Sequence, residues 1–169
     1  MKIRYMATKF MESTMIRRAE NKDIPAILRL LSQVLEIHAR IRPDIFISGT
    51  TKYTEDELKE IISDESRPIF VATDDDDNCI GYAFCMIKEQ PFSTNMVPFK
   101  SLYIDDLCVD TSRRGHHIGK DLFEFVKEEA GRLGCYEVTL NVWEGNDAAK
   151  AFYDKMGMKV KEYQMEWIL

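Results

Sequence analysis

The stretch SLYIDDLCVDTSRRGHHIGKDLFEFVKEEAGRLGCYEVTLNV, residues 101–142, changes its hydrophobic period twice. Ser101 to Asp110 is an apolar run broken by two acidic residues and reads as a strand. Ile118, Leu122, Phe123, Val126, Ala130 and Leu133 then recur on one face of a helix that Gly134 closes. Tyr136, Val138, Leu140 and Val142 alternate as the next strand. A strand–helix–strand crossover places both strands in one sheet and points to a mixed α/β architecture.

Working outward from this unit, the flanks agree. Upstream, residues 15–19 (MIRRA) read as a short strand, and Asp23 stands as N-cap before Pro25 in the first turn of a helix. Ile24, Ile27, Leu28, Leu31, Leu35 and His38 mark that helix's face, and Pro43 ends it or the loop after it. Thr54-Glu55-Asp56-Glu57 is a capping box opening a second helix to about Ser63. Pro68–Thr73 and Cys79–Lys88 form a hairpin around a polar turn at 74–78, and residues 89–99, with Pro91 and Pro98, form a loop. Downstream, Asn146 caps a last helix whose inner face carries Ala149, Phe152, Tyr153 and Met156. Met158–Leu169 is expected as a closing strand. The expected order is β-α-α-β-β-β-α-β-α-β. Residues 1–14 read as an N-terminal extension, an edge strand or disordered, and residues 15–169 as one domain.

Composition narrows the function. The chain has 169 residues, 45% of them hydrophobic and 31% charged, with 29 acidic against 23 basic residues and a net charge of -6. That is a globular composition of single-domain length. The negative balance disfavours wrapping nucleic acid. The longest apolar stretch, Ile80 to Ile87, is far short of the ~20 residues that span a bilayer. No apolar core of signal-peptide length stands at the N-terminus, so a cytoplasmic location is expected. Cys79, Cys85, Cys108 and Cys135 have no paired spacing and read as reduced thiols. His38, His116 and His117 give no metal-ligand spacing, so no metal is expected.

The chemistry concentrates at Arg113-Arg114-Gly115-His116-His117-Ile118-Gly119-Lys120, between strand and helix. The first amides of a helix lack internal partners, the helix dipole is positive there, and glycine admits close approach. Two arginines and Lys120 add full charges. A phosphate-bearing cofactor is the natural ligand, although a basic helix start explains the same residues. Neither GxxxxGK[ST] nor GxGxxG is present.

The runs VDTSRRGHHIGKDLFEFV and NVWEGNDAAKAFYDKMGM resemble motifs A and B of the GNAT superfamily of acyl-CoA N-acyltransferases, and the similarity extends from about Met15 to Leu169. The resemblance implies a mostly antiparallel central sheet flanked by helices, with acetyl-CoA as cosubstrate. It places the CoA pyrophosphate on the amides of Arg114, Gly115, His116, His117, Ile118, Gly119 and Lys120. His117 stands where the family has its first signature glycine, so it keeps the amide donor but lacks glycine's easy access to positive φ. By position, Leu107, Cys108 and Val109 would meet the pantetheine arm, and Asn146 would touch it while capping the last helix. An amide near Leu107 would stabilise the developing oxyanion.

Asp105 and Asp106 stand where many members carry acidic residues. An alkyl ammonium must lose a proton before it attacks a thioester. Alternation along a strand lets only one of the two face the thioester. Asp105 is read as base or water-holder and Asp106 as a substrate contact. Tyr153 falls where the family has a tyrosine that protonates the departing thiolate. The core face of the last helix explains the same residue. The loops 42–53 and 89–100 are expected to line the acceptor site. The acidic pair and the net charge favour a small cationic primary amine as acceptor, ahead of a protein or peptide amine. A non-catalytic acyl-CoA sensor is the alternative from another class. Homodimerisation stays open.

Overall fold

The computed structural model describes residues 14–91 and 93–169, and its centre is a five-stranded sheet. In chain order the elements are β1 (Met15–Arg18), α1 (Ile24–Ile41), α2 (Glu55–Ser63), β2 (Ile69–Thr73), β3 (Cys79–Glu89), β4 (Lys100–Val109), α3 (Ile118–Arg132), β5 (Glu137–Leu140) and α4 (Asp147–Lys155). The strands lie side by side in sequence order. β1 to β4 pair antiparallel, and β5 pairs parallel with β4 through the α3 crossover.

Each face of the sheet carries its own core. Ile27, Leu30 and Leu31 of α1 and Leu58 and Ile61 of α2 pack with Val71, Tyr82, Phe84 and Cys108 on one face. Leu122, Phe123 and Val126 of α3 pack with Phe70, Ala83, Leu102 and Ile104 on the other, where Phe152 and Tyr153 of α4 join them. Strand β2 is buried along its whole length, as a strand covered on both faces must be. Gly81 lets α3 approach β3. A Cβ there would stand 3.0 Å from the Cys108 carbonyl oxygen and 3.2 Å from Leu122 Cδ1.

Local signals decide several boundaries. Thr54 Oγ1 accepts from the Glu57 amide at 3.3 Å, while Glu57 Oε2 accepts from the Thr54 amide at 2.7 Å, which is the expected capping box. Gly134 takes φ +71 after α3. Asp23 departs from its expected role. It sits at the cap position, but its carboxylate turns back to accept from the Glu20 amide and from Arg17 Nη1 and Nη2. Arg17 also reaches Asp77 in the β2–β3 turn, so this guanidinium ties β1 to the hairpin, and the buried Asp23 holds Arg17 instead of capping α1.

The closing strand expected at 158–169 does not form. Met158 packs against the α3-side core, and every residue from 159 to 169 is exposed and outside any ladder. Alternation equips a segment to be a strand, but only a neighbouring backbone makes it one. The expectations for residues 1–13 lie outside the described residues. No helix among the described residues is long and apolar enough to cross a membrane. Cys79, Cys85 and Cys108 are buried free thiols, and Cys135 is a partly exposed one.

Candidate active site

Strand β4 builds the site by breaking its own regularity. Phe84 of β3 pairs with Asp106 and Cys85 with Ile104, so Asp105 is an extra residue, a β-bulge. The bulge overturns the alternation expected from sequence. Ile104 faces the α3 side, and Asp105 and Asp106 both face the α1–α2 side. There Asp105 Oδ2 accepts from Lys52 Nζ at 2.6 Å, and Asp106 Oδ2 accepts from the Tyr82 hydroxyl at 2.8 Å. Lys52 comes from the loop before α2, and Tyr82 belongs to the core beneath α1.

The two carboxylates stand in different surroundings. The Asp105 side chain is 29% exposed. Asp106 keeps a little accessible surface but is enclosed by protein. Burial pushes its pKa up to about 6, and the charge of Asp105 adds to the rise. The Tyr82 hydrogen bond, the Lys52 charge and the Leu107 amide oppose it. Burial works against the Lys52 ammonium, but the hydrogen bond and charge of Asp105 outweigh it and hold Lys52 above the ordinary lysine value.

Beyond the bulge β4 loses its neighbour. The β4–β5 pairing runs only from Ser101–Glu137 to Ile104–Leu140, while β4 continues to Val109. The Asp110 amide donates to the Ile80 carbonyl on the β3 side. Backbone groups alternate along a strand, so those of Leu107 and Val109 turn to the open side. The Val109 carbonyl there accepts from Arg114 Nε at 3.3 Å. Cys108 is not brought to the site, because its backbone faces β3 and its thiol is buried against the Leu30 carbonyl.

The turn after β4 is held from behind. Arg29 of α1 donates to Asp110, whose other oxygen accepts from the Ser112 amide and hydroxyl. Although burial opposes it, these hydrogen bonds and the Arg29 charge hold the Asp110 carboxyl down at about 2. Gly115 takes φ +84. His117 takes φ 65 and ψ 0, the left-handed conformation that the signature glycine would have supplied. The histidine thus holds a backbone conformation that glycine adopts more easily. His116 Nδ1 lies 3.1 Å from the Arg114 carbonyl. The His117 side chain does not cap α3, so the first turn of the helix gains no amide partner from its N-cap residue. A Cβ on Gly119 would meet Phe152 and Val109 only at an ordinary 3.6 Å. The packing around it therefore does not itself require glycine there. An uncapped helix start beside Arg114 and Lys120 fits a pyrophosphate.

A groove of about 700 Å³ adjoins this turn, lined by Gln33, Ile37 and Arg40 of α1, by Arg114 and by Asn146. Asn146 Oδ1 accepts from the Ala149 amide at 3.2 Å and so caps α4. One face of α4 brings in Tyr153, its ring against Phe152 and Phe123 at 5.0 and 6.1 Å. Burial raises its pKa, and the nearby charges of Asp106 and Cys85 add to the rise, so the phenol stays protonated at neutral pH. Tyr153 is part of the core on the α3 side and also lies within reach of the Asp106 charge. The 42–53 loop is anchored where Ser48 and Gly49 donate to Glu36, and Phe46 packs on His38 and Trp143.

Sequence reasoning missed Lys52, Tyr82 and Arg29. Tyr82 carried a faint signal, because a hydroxyl within the run CIGYAFC needs a buried acceptor. Nothing local marks Lys52, whose carboxylate partner lies 53 residues away.

The model of the acetyltransferase (GNAT) family matches residues 31–158. A glucosamine 6-phosphate N-acetyltransferase of Arabidopsis thaliana is 39% identical over 66 residues, 39% of this chain and 42% of that enzyme. A peptidyl-lysine N-acetyltransferase of Salmonella typhimurium is 35% identical over 106 residues, 62% of this chain and 60% of that enzyme. This chain therefore aligns with less than two-thirds of the length of either enzyme. Among solved structures, a mutant of the BH1408 protein of Bacillus halodurans superposes with a TM-score of 0.87 at 32% identity, covering 92% of this chain and 99% of that one.

Proposed function

Given that this chain belongs to the acetyltransferase (GNAT) family, we propose that it transfers the acetyl group of acetyl-CoA to a small primary amine, with Asp106 as base and Tyr153 as acid. The observation that carries the reading is the placement of two proton-handling groups of opposite readiness around one open strand edge. Asp106 is pushed up to about 6, close to working pH, while Tyr153 is held protonated. This reverses the roles that the sequence suggested for the acidic pair.

Acetyl-CoA supplies the thioester whose carbonyl carbon the amine attacks and whose thiolate departs. The α3 amides and Arg114 hold its pyrophosphate, and the open backbone groups of Leu107 and Val109 meet its arm. The acceptor arrives as an ammonium and takes the place of the Lys52 ammonium against Asp105. It gives one proton to Asp106. The C–N bond then forms and the C–S bond breaks. Tyr153 protonates the sulfur, and the second amine proton leaves to solvent. A second positive charge on the acceptor is not needed by this arrangement, because the reacting ammonium itself satisfies Asp105 and Tyr82 holds Asp106.

The test is acetyl transfer to amino sugars, lysine analogues and peptides, read by thiol release. Tyr153→Phe should lower turnover by about 10²–10⁴-fold and leave acetyl-CoA affinity unchanged, as loss of a general acid does. A turnover within about twofold of the parent, far below that range, makes Tyr153 structural only. Acetyl-CoA binding without transfer to any amine favours the sensor reading.

A further inference from the structure

The site already holds an amine of the chain's own. Lys52 Nζ lies 2.6 Å from Asp105 Oδ2, at the bulge of β4, and its charge also acts on Asp106. Lys22, Lys59, Lys127 and Lys161 pair with carboxylates too, but those belong to turns, to the lysine's own helix or to β5. Lys52 alone of these five reaches the acidic pair.

The backbone around Lys52 is pinned. The Tyr53 ring stacks on Phe84 at 5.7 Å, and Phe84 lies edge-on to Tyr82 at 5.0 Å. Tyr82 is the residue whose hydroxyl holds Asp106. Thr51 Oγ1 donates to the Tyr53 carbonyl at 3.0 Å, and Thr54 opens the capping box of α2. The side chain is freer, since 40% of it is exposed. A lysine carries its amine on a flexible four-carbon stem, so Nζ can swing from Asp105 toward Asp106 and Leu107 while the backbone stays in place.

We propose that Lys52 is an acetylation site of the protein's own active centre, modified within one molecule when acetyl-CoA is bound and no acceptor amine fills the site. The proposal rests on the reading of Asp106 as base and Tyr153 as acid. The Lys52 ammonium gives one proton to Asp106, and its nitrogen attacks the thioester carbonyl carbon. The C–N bond forms and the C–S bond breaks. Tyr153 protonates the departing sulfur, and the second amine proton leaves to solvent. The products are the Nε-acetyl form of Lys52 and CoA. A tethered amine needs no encounter from solution, so its local concentration drives the step. Burial works against the Lys52 ammonium, but Asp105 keeps it above the ordinary lysine value, so at neutral pH the amine reacts only where a base takes its proton. Acetylation removes the positive charge that rivals a free amine for Asp105.

The test starts from the full 169-residue chain with Lys52 shown to be unmodified by mass. It is incubated with acetyl-CoA alone, and transfer to a free amine is assayed in parallel. The intact mass should rise by one acetyl group, mapped to Lys52, at a rate that dilution of the protein does not change. Tyr153→Phe and Asp106→Asn should each slow the step by about 10²–10⁴-fold, whereas purely chemical acetylation would ignore both changes. Lys52→Arg keeps the positive charge and should gain no acetyl group. Transfer to free amines with Lys52 left unmodified overturns this proposal and leaves the reading of the function standing. Failure of both reactions, with acetyl-CoA shown to bind by calorimetry, overturns that reading and this proposal with it. A rate that rises with protein concentration, or one that Tyr153→Phe leaves unchanged, also overturns the proposal.

Discussion

Replacing Asp106 by asparagine should make the protein more stable and nearly inactive. The amide side chain would keep an oxygen for the Tyr82 hydroxyl but would carry no charge into the enclosed site. Burial raises the Asp106 pKa from the ordinary 3.8 to about 6. A carboxyl whose folded pKa lies above its unfolded value favours folding less as it ionises. The penalty is absent below the unfolded pKa, grows between the two values, and is complete above the folded one. At 1.36 kcal/mol for each tenfold change, the full penalty above pH 7 is about 3 kcal/mol, and at pH 4 it is about 0.5 kcal/mol. Denaturant unfolding of both proteins at pH 4, 6 and 8 isolates this group, because every other titration cancels in the difference. The advantage of Asp106→Asn should widen by about 2 kcal/mol from pH 4 to pH 8. In parallel, turnover by the parent should fall as pH drops through about 6, and the variant should lose about 10²–10⁴-fold at pH 8. A stability difference that does not change with pH would refute the burial of this charge. A variant less stable than the parent at pH 8 would do the same.

Two further predictions concern residues that sequence treated as departures or did not notice. His117→Gly should raise stability by about 1 kcal/mol, the usual relief when a side chain leaves the left-handed region, with acetyl-CoA affinity unchanged by calorimetry. A loss of affinity would show that the imidazole itself touches the cofactor. Lys52→Met should lower the KM for the amine by about two- to fivefold, the worth of a partly exposed ion pair, and added salt should narrow the difference. A higher KM would show that Lys52 shapes the acceptor loop and does not occupy the acceptor's seat.

What the sequence revealed was what neighbours in the chain decide. The α3 crossover, the Thr54 capping box, the Asn146 cap and the basic turn at 113–120 all rest on contacts within a few residues, and all are present. Even the odd histidine was visible as an odd histidine, and its positive φ follows from the path that the loop must take. The bulge was not visible, because period-two reading assumes an unbroken ladder and the extra residue declares itself only against β3. Asp23 looked like a cap because the cap is local. Arg17, which claims it, is held in turn by Asp77, and those two meet only when β1 reaches the hairpin. The closing strand failed for the reason opposite to the bulge. The stretch 158–169 could extend, but it enters no ladder with another strand among the described residues.

The bulge at Asp105 has a consequence for how such a site is inherited. Ile104 faces one side of the sheet, Asp106 the other, and Leu107 the first again, so the strand keeps perfect alternation with Asp105 struck out. Removing one codon would normally throw every later side chain of a strand onto the wrong face. Here it would mend the ladder and leave both cores in frame. The corner at Asp105 thus behaves as an insertion written over an intact strand. A lineage could gain or shed it in one step without renegotiating the fold, and the chain with Asp105 deleted should still fold with Asp106 on the α1–α2 face.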